Sequence, residues 1–171
     1  MKYFLTFVFC LNAFVSFGQQ DKCTAIVDWQ YNGVVNIYDK PNGGIIDQIK
    51  NDSAGEDFLI VFILDKKDNY FFVTLELQIH GIKKKGWIEK ADYIGTYIRH
   101  EKYPVMDLVL YKFTNISDTD KIVIRSWQPE LLTIERCDGI WTCVSVKQNG
   151  QTYTGWIKSV ELCSNPYTTC N

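Results

Sequence analysis

The cysteines and histidines are the residues of this chain with the most reactive side chains, six and two in number. A thiol beside an imidazole is the pair that cysteine hydrolases use, and Cys23 could form one with His80 or His100. However, Cys23 precedes the first predicted strand, while His80 falls in a polar hairpin tip and His100 in a predicted linker. We therefore expect no catalytic residues and a protein that is not an enzyme.

A metal site is not expected either. The chain has no Cys-x-x-Cys motif, so the two histidines would have to join ligands gathered from scattered positions. We expect no metal and no cofactor.

The N-terminus has the pattern of a secretory leader. Lys2 is followed by an uncharged apolar run over residues 3–15, which is too short to span a bilayer as a mature helix. Small residues at Ser16 and Gly18 are typical of a cleavage site. We predict a signal peptide over 1–18, a mature chain that begins at Gln19, and a secreted or periplasmic location without a membrane span.

Five cysteines remain after cleavage, and in an exported chain they predict disulfides. Cys137 and Cys143 straddle a predicted turn, and we expect them to face the same side of a hairpin and to pair. Cys163 and Cys170 flank a segment in which a proline favours chain reversal, so we expect a second bridge there. Cys23 is then either free or linked to another chain.

The charge balance argues against a nucleic-acid partner. The net charge of the chain is −2, and loss of Lys2 with the leader makes it −3. A protein that neutralises a phosphate backbone needs a basic excess, which this chain lacks.

The local pattern indicates strands rather than helices. Over residues 70–79 apolar side chains recur at every second position, which is the period of a half-buried strand. Turn signals rich in Gly, Asn, Asp and Pro interrupt the chain at short intervals, and no long window has a helical period. We predict an all-β protein built from hairpins.

Three segments occur twice, in the same order. Gly-Trp-Ile closes both copies, and the corresponding ranges are 34–41 with 107–114, 65–77 with 135–147, and 83–96 with 152–165. Collinear similarity of this kind indicates two repeats. About 65–70 residues per repeat suffice for a small five- or six-stranded barrel.

These motifs resemble the bacterial SH3 (SH3b) family. The opening "VNIYDKP" and the closing "GWIEKADYI" are similar to its usual first and last strands, and "LVLY" with "GWIKSVEL" forms a weaker second copy. The resemblance implies two small SH3-like barrels in tandem, over 26–98 and 105–171. A short linker near 97–105 would hold them close together.

The resemblance also implies an aromatic ligand groove on each barrel, because SH3-like domains use such clefts to bind peptides. Strand parity and repeat position select the ligand-binding candidates Tyr38, Tyr70, Trp87 and Tyr93 in the first copy and Tyr111, Trp141 and Trp156 in the second. The alternative is that these rings cap the barrel ends or fill the contact between domains. Leu162 replaces the counterpart of Tyr93, so the second groove is expected to be less complete.

The leading functional hypothesis is a non-catalytic binding protein outside the cytoplasm that recognises cell-wall peptide or glycopeptide, or other peptides. A periplasmic protein-directed inhibitor or immunity-type factor is the alternative, and a structural accessory subunit is the third. Fold resemblance alone does not separate them, since SH3-like barrels host unrelated ligands. The sequence makes no prediction about oligomeric state.

Overall fold

A computed structural model of the protein describes residues 23–99, 106–115 and 120–164. The predicted leader and Cys170 lie outside these ranges. The described chain is all-β, as predicted, apart from a short 3-10 helix at Ser159–Glu161. Its strands are β1 (Cys23–Val27), β2 (Val34–Tyr38), β3 (Ile45–Lys50), β4 (Leu59–Lys67), β5 (Tyr70–Leu77), β6 (Ile82–Glu89), β7 (Ile94–Ile98), β8 (Met106–Tyr111), β9 (Lys121–Trp127), β10 (Leu132–Asp138), β11 (Trp141–Gln148), β12 (Gln151–Lys158) and β13 (Leu162–Cys163).

All strands join one antiparallel sheet in the order β3-β2-β6-β5-β4-β1-β7-β10-β11-β12-β8-β9, with β13 pairing β7. The two repeats use the same pairings: β2-β6-β5-β4 in the first corresponds to β8-β12-β11-β10 in the second. β3 and β9 lie at the two ends of the sheet. The predicted internal repetition is therefore visible as repeated topology.

The period-two pattern places the core. Phe71, Val73 and Leu75 on β5 are buried, as their parity predicts. The prediction for Ile79 is wrong: β5 ends at Leu77, and Ile79 lies in the following turn with 60% of its surface exposed. A single hydrophobic cluster contains buried residues of both repeats, including Phe71, Ile88, Trp127 and Leu132.

Strand β7 is shared by the two repeats. It pairs with β1 through Gly95 opposite Ile26, and with β10 through Thr96 opposite Leu132. In the first repeat β1 pairs with β4 and β7, and in the second repeat β7 itself pairs with β10 and β13 in the same way. We call β1–β7 the first half and β7–β13 the second half.

Two strands extend past the boundaries that were predicted for the first copy. The linker was expected over 97–105, but residues 97 and 98 belong to β7, and 100–105 lie outside the described ranges. Among the described residues, β1 starts at Cys23, three residues before the predicted boundary at 26. Local patterns did not reveal either point, because both depend on pairing with distant strands.

The predicted Cys137–Cys143 disulfide is wrong. Cys137 is bonded to Cys23, 114 residues away, with their Cα atoms 6.1 Å apart, and Cys143 is a buried free thiol. The hairpin turn between β10 and β11 places Cys137 opposite Thr142 and Arg136 opposite Cys143. Cys137 and Cys143 therefore point to opposite faces of the hairpin. Cys163 is disulfide-bonded, but its predicted partner Cys170 lies outside the described residues.

Buried hydroxyl groups also join the two halves. Ser164 Oγ lies 2.6 Å from the Thr24 carbonyl oxygen and 2.7 Å from Thr96 Oγ1, while Thr96 Oγ1 donates to the Cys163 carbonyl over 3.2 Å. These contacts satisfy polar groups where β1, β7 and the segment after β13 meet, which a buried junction requires.

The repeated Gly-Trp-Ile motif is explained by packing. A Cβ atom on Gly86 would lie 2.4 Å from Ile37 Cγ2, and one on Gly155 would lie 2.8 Å from Leu110 Cβ. Both isoleucines of the motif, Ile88 and Ile157, are buried. Glycine is therefore required for close approach of β6 to β2 and of β12 to β8.

We expect Gly86→Ala to destabilise the protein by about 1–3 kcal/mol, because the added methyl group overpacks the contact with Ile37. Gly155→Ala should behave alike. Gly44→Ala is the control, since a Cβ there meets nothing within 4 Å. Urea unfolding measures all three, and equal stability of Gly86→Ala and Gly44→Ala would contradict the packing explanation.

An ion pair between the halves makes stability depend on pH. Lys90 Nζ donates to Glu135 Oε2, and Ser145 Oγ donates to Glu135 Oε1 over 2.7 Å. Burial raises the pKa of Glu135, but these hydrogen bonds outweigh it and the net pKa lies below the ordinary 4.5. A lowered carboxyl pKa stabilises the fold above the unfolded-state value, and that contribution disappears as pH falls through the folded-state value.

We therefore expect Glu135→Gln to lower the melting temperature by a few degrees at pH 7 and to change it much less at pH 3. Thermal unfolding followed by circular dichroism at both pH values tests this. The exposed Glu161→Gln is the control. A Glu135→Gln effect of the same size at both pH values would contradict the assignment.

Candidate functional site

The first aromatic set consists of Tyr38, Tyr70 and Trp87. Pairing of β2 with β6 places Tyr38 opposite Trp87, and β5 supplies Tyr70. The rings of Tyr38 and Tyr70 meet edge to face, with centroids 5.6 Å apart and planes at 87°. The structure thus brings together three of the four residues that were predicted to form this groove.

The second aromatic set, Tyr111, Trp141 and Trp156, repeats this arrangement. Tyr111 is paired with Trp156, just as Tyr38 is paired with Trp87. Tyr111 meets Trp141 edge to face, with centroids 5.7 Å apart and planes at 75°. The two sets therefore match both in strand register and in ring geometry.

The rings are less exposed than strand parity suggested. Tyr70 points to the face of β5 opposite the core residues Phe71 and Val73, but it is only 8% exposed because its ring packs against Tyr38. Trp141 and Trp156 are each 7% exposed, whereas Tyr38, Trp87 and Tyr111 are half-buried. The half-buried rings are the ones that a ligand can reach directly.

Tyr93 does not stack on the first aromatic set. Its ring stacks on Tyr31 with a centroid distance of 3.7 Å and nearly parallel planes. The two tyrosines line a groove of about 590 Å³ together with Leu131 and Val146 of the second half. Burial, followed by the hydrogen bond with Tyr31, raises the pKa of Tyr93 far above its ordinary value. The sequence pattern missed this placement because the stacking partner lies before β2.

Phe72 is an aromatic neighbour of the first set that was not among the predicted ligand-binding residues. It pairs with Trp87 across β5 and β6, with ring centroids 5.3 Å apart. Phe72 lies two residues after Tyr70 on β5, and this spacing, which puts both rings on one face of the strand, was enough to identify it as a candidate. In the second half Cys143 takes the corresponding place opposite Trp156. Burial raises the pKa of the Cys143 thiol, which makes it a poor nucleophile.

Cationic side chains cover the second aromatic set. The Arg136 guanidinium lies 4.8 Å from the centroid of Trp156, and Lys158 Nζ lies 5.9 Å from that of Trp141. These are cation–π distances. A groove of about 560 Å³ lies beside Arg136 and Trp156 and is also lined by Lys112, Phe113 and Asp138.

The thiol–imidazole pair considered for Cys23 is not formed, because Cys23 is in a disulfide. His100 lies outside the described residues. His80 has a 66% exposed side chain, and its Nδ1 lies 2.7 Å from the buried Asp57 carboxylate. Within residues 23–99, 106–115 and 120–164, no group of three or more His, Cys, Asp or Glu side chains could hold a metal ion.

No protein-family model, curated protein or solved structure matches this chain. In the described part of the chain, no helix is long and apolar enough to cross a membrane.

Proposed function

We propose that this chain is an exported, non-catalytic binding protein that recognises cell-wall peptide or glycopeptide through its two aromatic sets. The observation that carries the proposal is the repeated ring pair, Tyr38 with Tyr70 at 5.6 Å and Tyr111 with Trp141 at 5.7 Å. Each pair has a tryptophan on the adjoining strand. Aromatic surfaces are typical of peptide-binding modules, and a groove of about 560 Å³ lies beside Trp156 of the second set.

The strand pairing supports two SH3b-like units. In each half the opening strand pairs with the strand that carries Gly-Trp-Ile. That strand is the last of a three-stranded meander, β4-β5-β6 in the first half and β10-β11-β12 in the second. The glycine of the motif permits the close approach in both halves. We propose that the halves are SH3b-like barrels joined through β7. This resemblance is the reason for proposing cell-wall peptide or glycopeptide as the ligand class.

The disulfide supports export. A Cys23–Cys137 bond persists in an oxidising compartment and is rare where thiols are kept reduced. We propose that the protein works in the periplasm or outside the cell, consistent with the leader predicted over 1–18.

Cosedimentation with purified peptidoglycan tests the function. We expect the mature protein to be retained, and Tyr38→Ala or Tyr111→Ala to weaken retention about tenfold, as loss of an aromatic contact residue does at other interfaces. Trp29→Ala is the control, since Trp29 is an exposed ring outside both sets. Melting curves must show that the variants remain folded.

A parallel capture from an extracellular protein extract distinguishes the alternative. Capture of one protein that depends on Tyr38 and Tyr111, without retention on peptidoglycan, would support an inhibitor or immunity-type role and contradict the proposal. Equal loss of retention in Trp29→Ala would show that the aromatic sets are not the binding surface.

A further inference from the structure

The strands around the two aromatic sets carry opposite charges at corresponding positions. Asp65 lies opposite Phe72 in the first half, and Arg136 lies opposite Cys143 in the second. The correspondence follows from cross-strand register, because Phe72 and Cys143 each face the tryptophan of their own set. The first half thus carries a carboxylate at the position where the second half carries a guanidinium.

A second reversal occurs on the other side of each set. Glu89 lies opposite Tyr70, and Lys158 lies opposite Trp141. A third follows the opening strand, where Asp39 comes directly after Tyr38. Its counterpart Lys112 comes directly after Tyr111.

One reversal runs the other way. Lys67 lies opposite Tyr70, and Asp138 lies opposite Trp141. In the first half three anions and one cation sum to −2: Asp39, Asp65, Glu89 and Lys67. In the second half three cations and one anion sum to +2: Lys112, Arg136, Lys158 and Asp138. Lys85, which lies over Phe72, partly offsets the negative charge in the first half. The ring geometry of the two sets is the same, but their electrostatic surroundings are opposite.

The cations of the second half are available to a ligand. Among the described residues, Arg136, Lys158 and Lys112 form no ion pair within 4.0 Å. Arg136 is exposed while the indole beneath it is buried, so the groove presents a guanidinium held on a ring. An arginine fixed in this way has already lost part of the side-chain freedom that binding would otherwise remove.

We propose that the second-half face selects a peptide that carries carboxylate groups, and that the first-half face does not. The inference rests on the proposed peptide-binding function and adds the charge of the ligand. Arg136 donates hydrogen bonds to a carboxylate, a pairing for which the guanidinium fork is suited, and Lys112 and Lys158 supply further positive charge. The groove beside Arg136 and Trp156, of about 560 Å³, has the size of a small-ligand pocket.

The test uses the full mature chain and two peptides of the same shape, acetyl-Ala-Glu-Glu-Ala and acetyl-Ala-Gln-Gln-Ala-amide. Binding is measured by the chemical shift of the Trp156 indole N–H. We expect the acidic peptide to bind at least about tenfold more tightly at low salt, because charged contacts across an interface are screened as ionic strength rises.

The variant pairs exploit the repeated register. Arg136→Gln with Lys158→Gln should remove the preference for the acidic peptide, and Lys112→Gln alone should reduce it without disturbing a ring contact. Asp65→Asn with Glu89→Gln, at the corresponding positions of the first half, should leave it unchanged. Melting curves verify that each variant is folded.

Equal affinity for the two peptides would overturn the charge selectivity and leave peptide binding intact. A loss of preference in the first-half variant as large as that in the second-half variant would also overturn it. Failure of both peptides to bind, together with failure to sediment with peptidoglycan, would remove the proposed function as well.

Discussion

A fragment that begins at Tyr103 is expected not to fold. It lacks β7 (Ile94–Ile98), so β10 and β13 lose the strand that both of them pair with. Leu132 and Leu162, which are buried in the intact protein, would lose this cover. Each fully buried leucine contributes about 1.5–3 kcal/mol, and a domain has only about 5–15 kcal/mol in total.

The control is a fragment that begins at Lys90, which restores β7 and the Lys90–Glu135 ion pair. We expect cooperative urea unfolding for the longer fragment and a gradual, non-cooperative change for the shorter one. A fragment over 19–99 keeps β1 and β7 paired and should be folded but weakened. Cooperative unfolding of the fragment that begins at Tyr103 would show that β7 is dispensable to the second half.

Loss of the Cys23–Cys137 disulfide is expected to reduce the free energy of unfolding by about 4–5 kcal/mol. The two cysteines are separated by 114 residues, and the chain-entropy model assigns a stabilisation of this size to so long a loop. Cys23→Ser with Cys137→Ser should therefore remove a large part of the total stability. Urea unfolding without reductant measures the difference.

Cys143→Ser is the control, because Cys143 is a free thiol. It should lower stability far less than the double variant, since no covalent loop is lost. Peptide mapping under non-reducing conditions should recover Cys23 joined to Cys137. Recovery of Cys137 joined to Cys143, or equal stability of the two serine variants, would contradict the structure.

Features that depend on neighbouring residues could be predicted from the sequence. The alternation of Phe71, Val73 and Leu75 identified the buried face of β5, because a strand presents every second side chain to one side. The repeated Gly-Trp-Ile motif marked corresponding strands of the two copies, β6 and β12. The repeated segments placed Tyr38 and Tyr111 in corresponding positions.

Features that depend on distant pairing could not be predicted in this way. The two halves share β7 because it pairs with β10 and β13 as well as with β1. The alternation of side chains along a strand does not show how many neighbouring strands it pairs with. The disulfide was misassigned because proximity in sequence was taken for proximity in space, whereas the two-residue turn places Cys143 on the opposite face from Cys137. The burial of Tyr70 depends on the ring of Tyr38, over 30 residues earlier.

The candidate site was predicted in part for the same reason. Strand parity and repetition selected six rings that meet in two sets, but the stacking of Tyr93 on Tyr31 is a contact between loops. The charges of Arg136 and Lys158 were visible in the sequence. Their position over the tryptophans required the cross-strand register.

The use of β7 by both halves also limits how such a protein can change by recombination. Repeats that each contain all of their own strands could be exchanged between genes as separate segments. Here any cut between the repeats either takes β7 from the second half or leaves the first half without its last strand. A recombination event that separated the repeats would therefore leave one of them with an unpaired sheet edge, whereas substitutions within a half, such as those that set the charges around the two aromatic sets, leave this pairing intact.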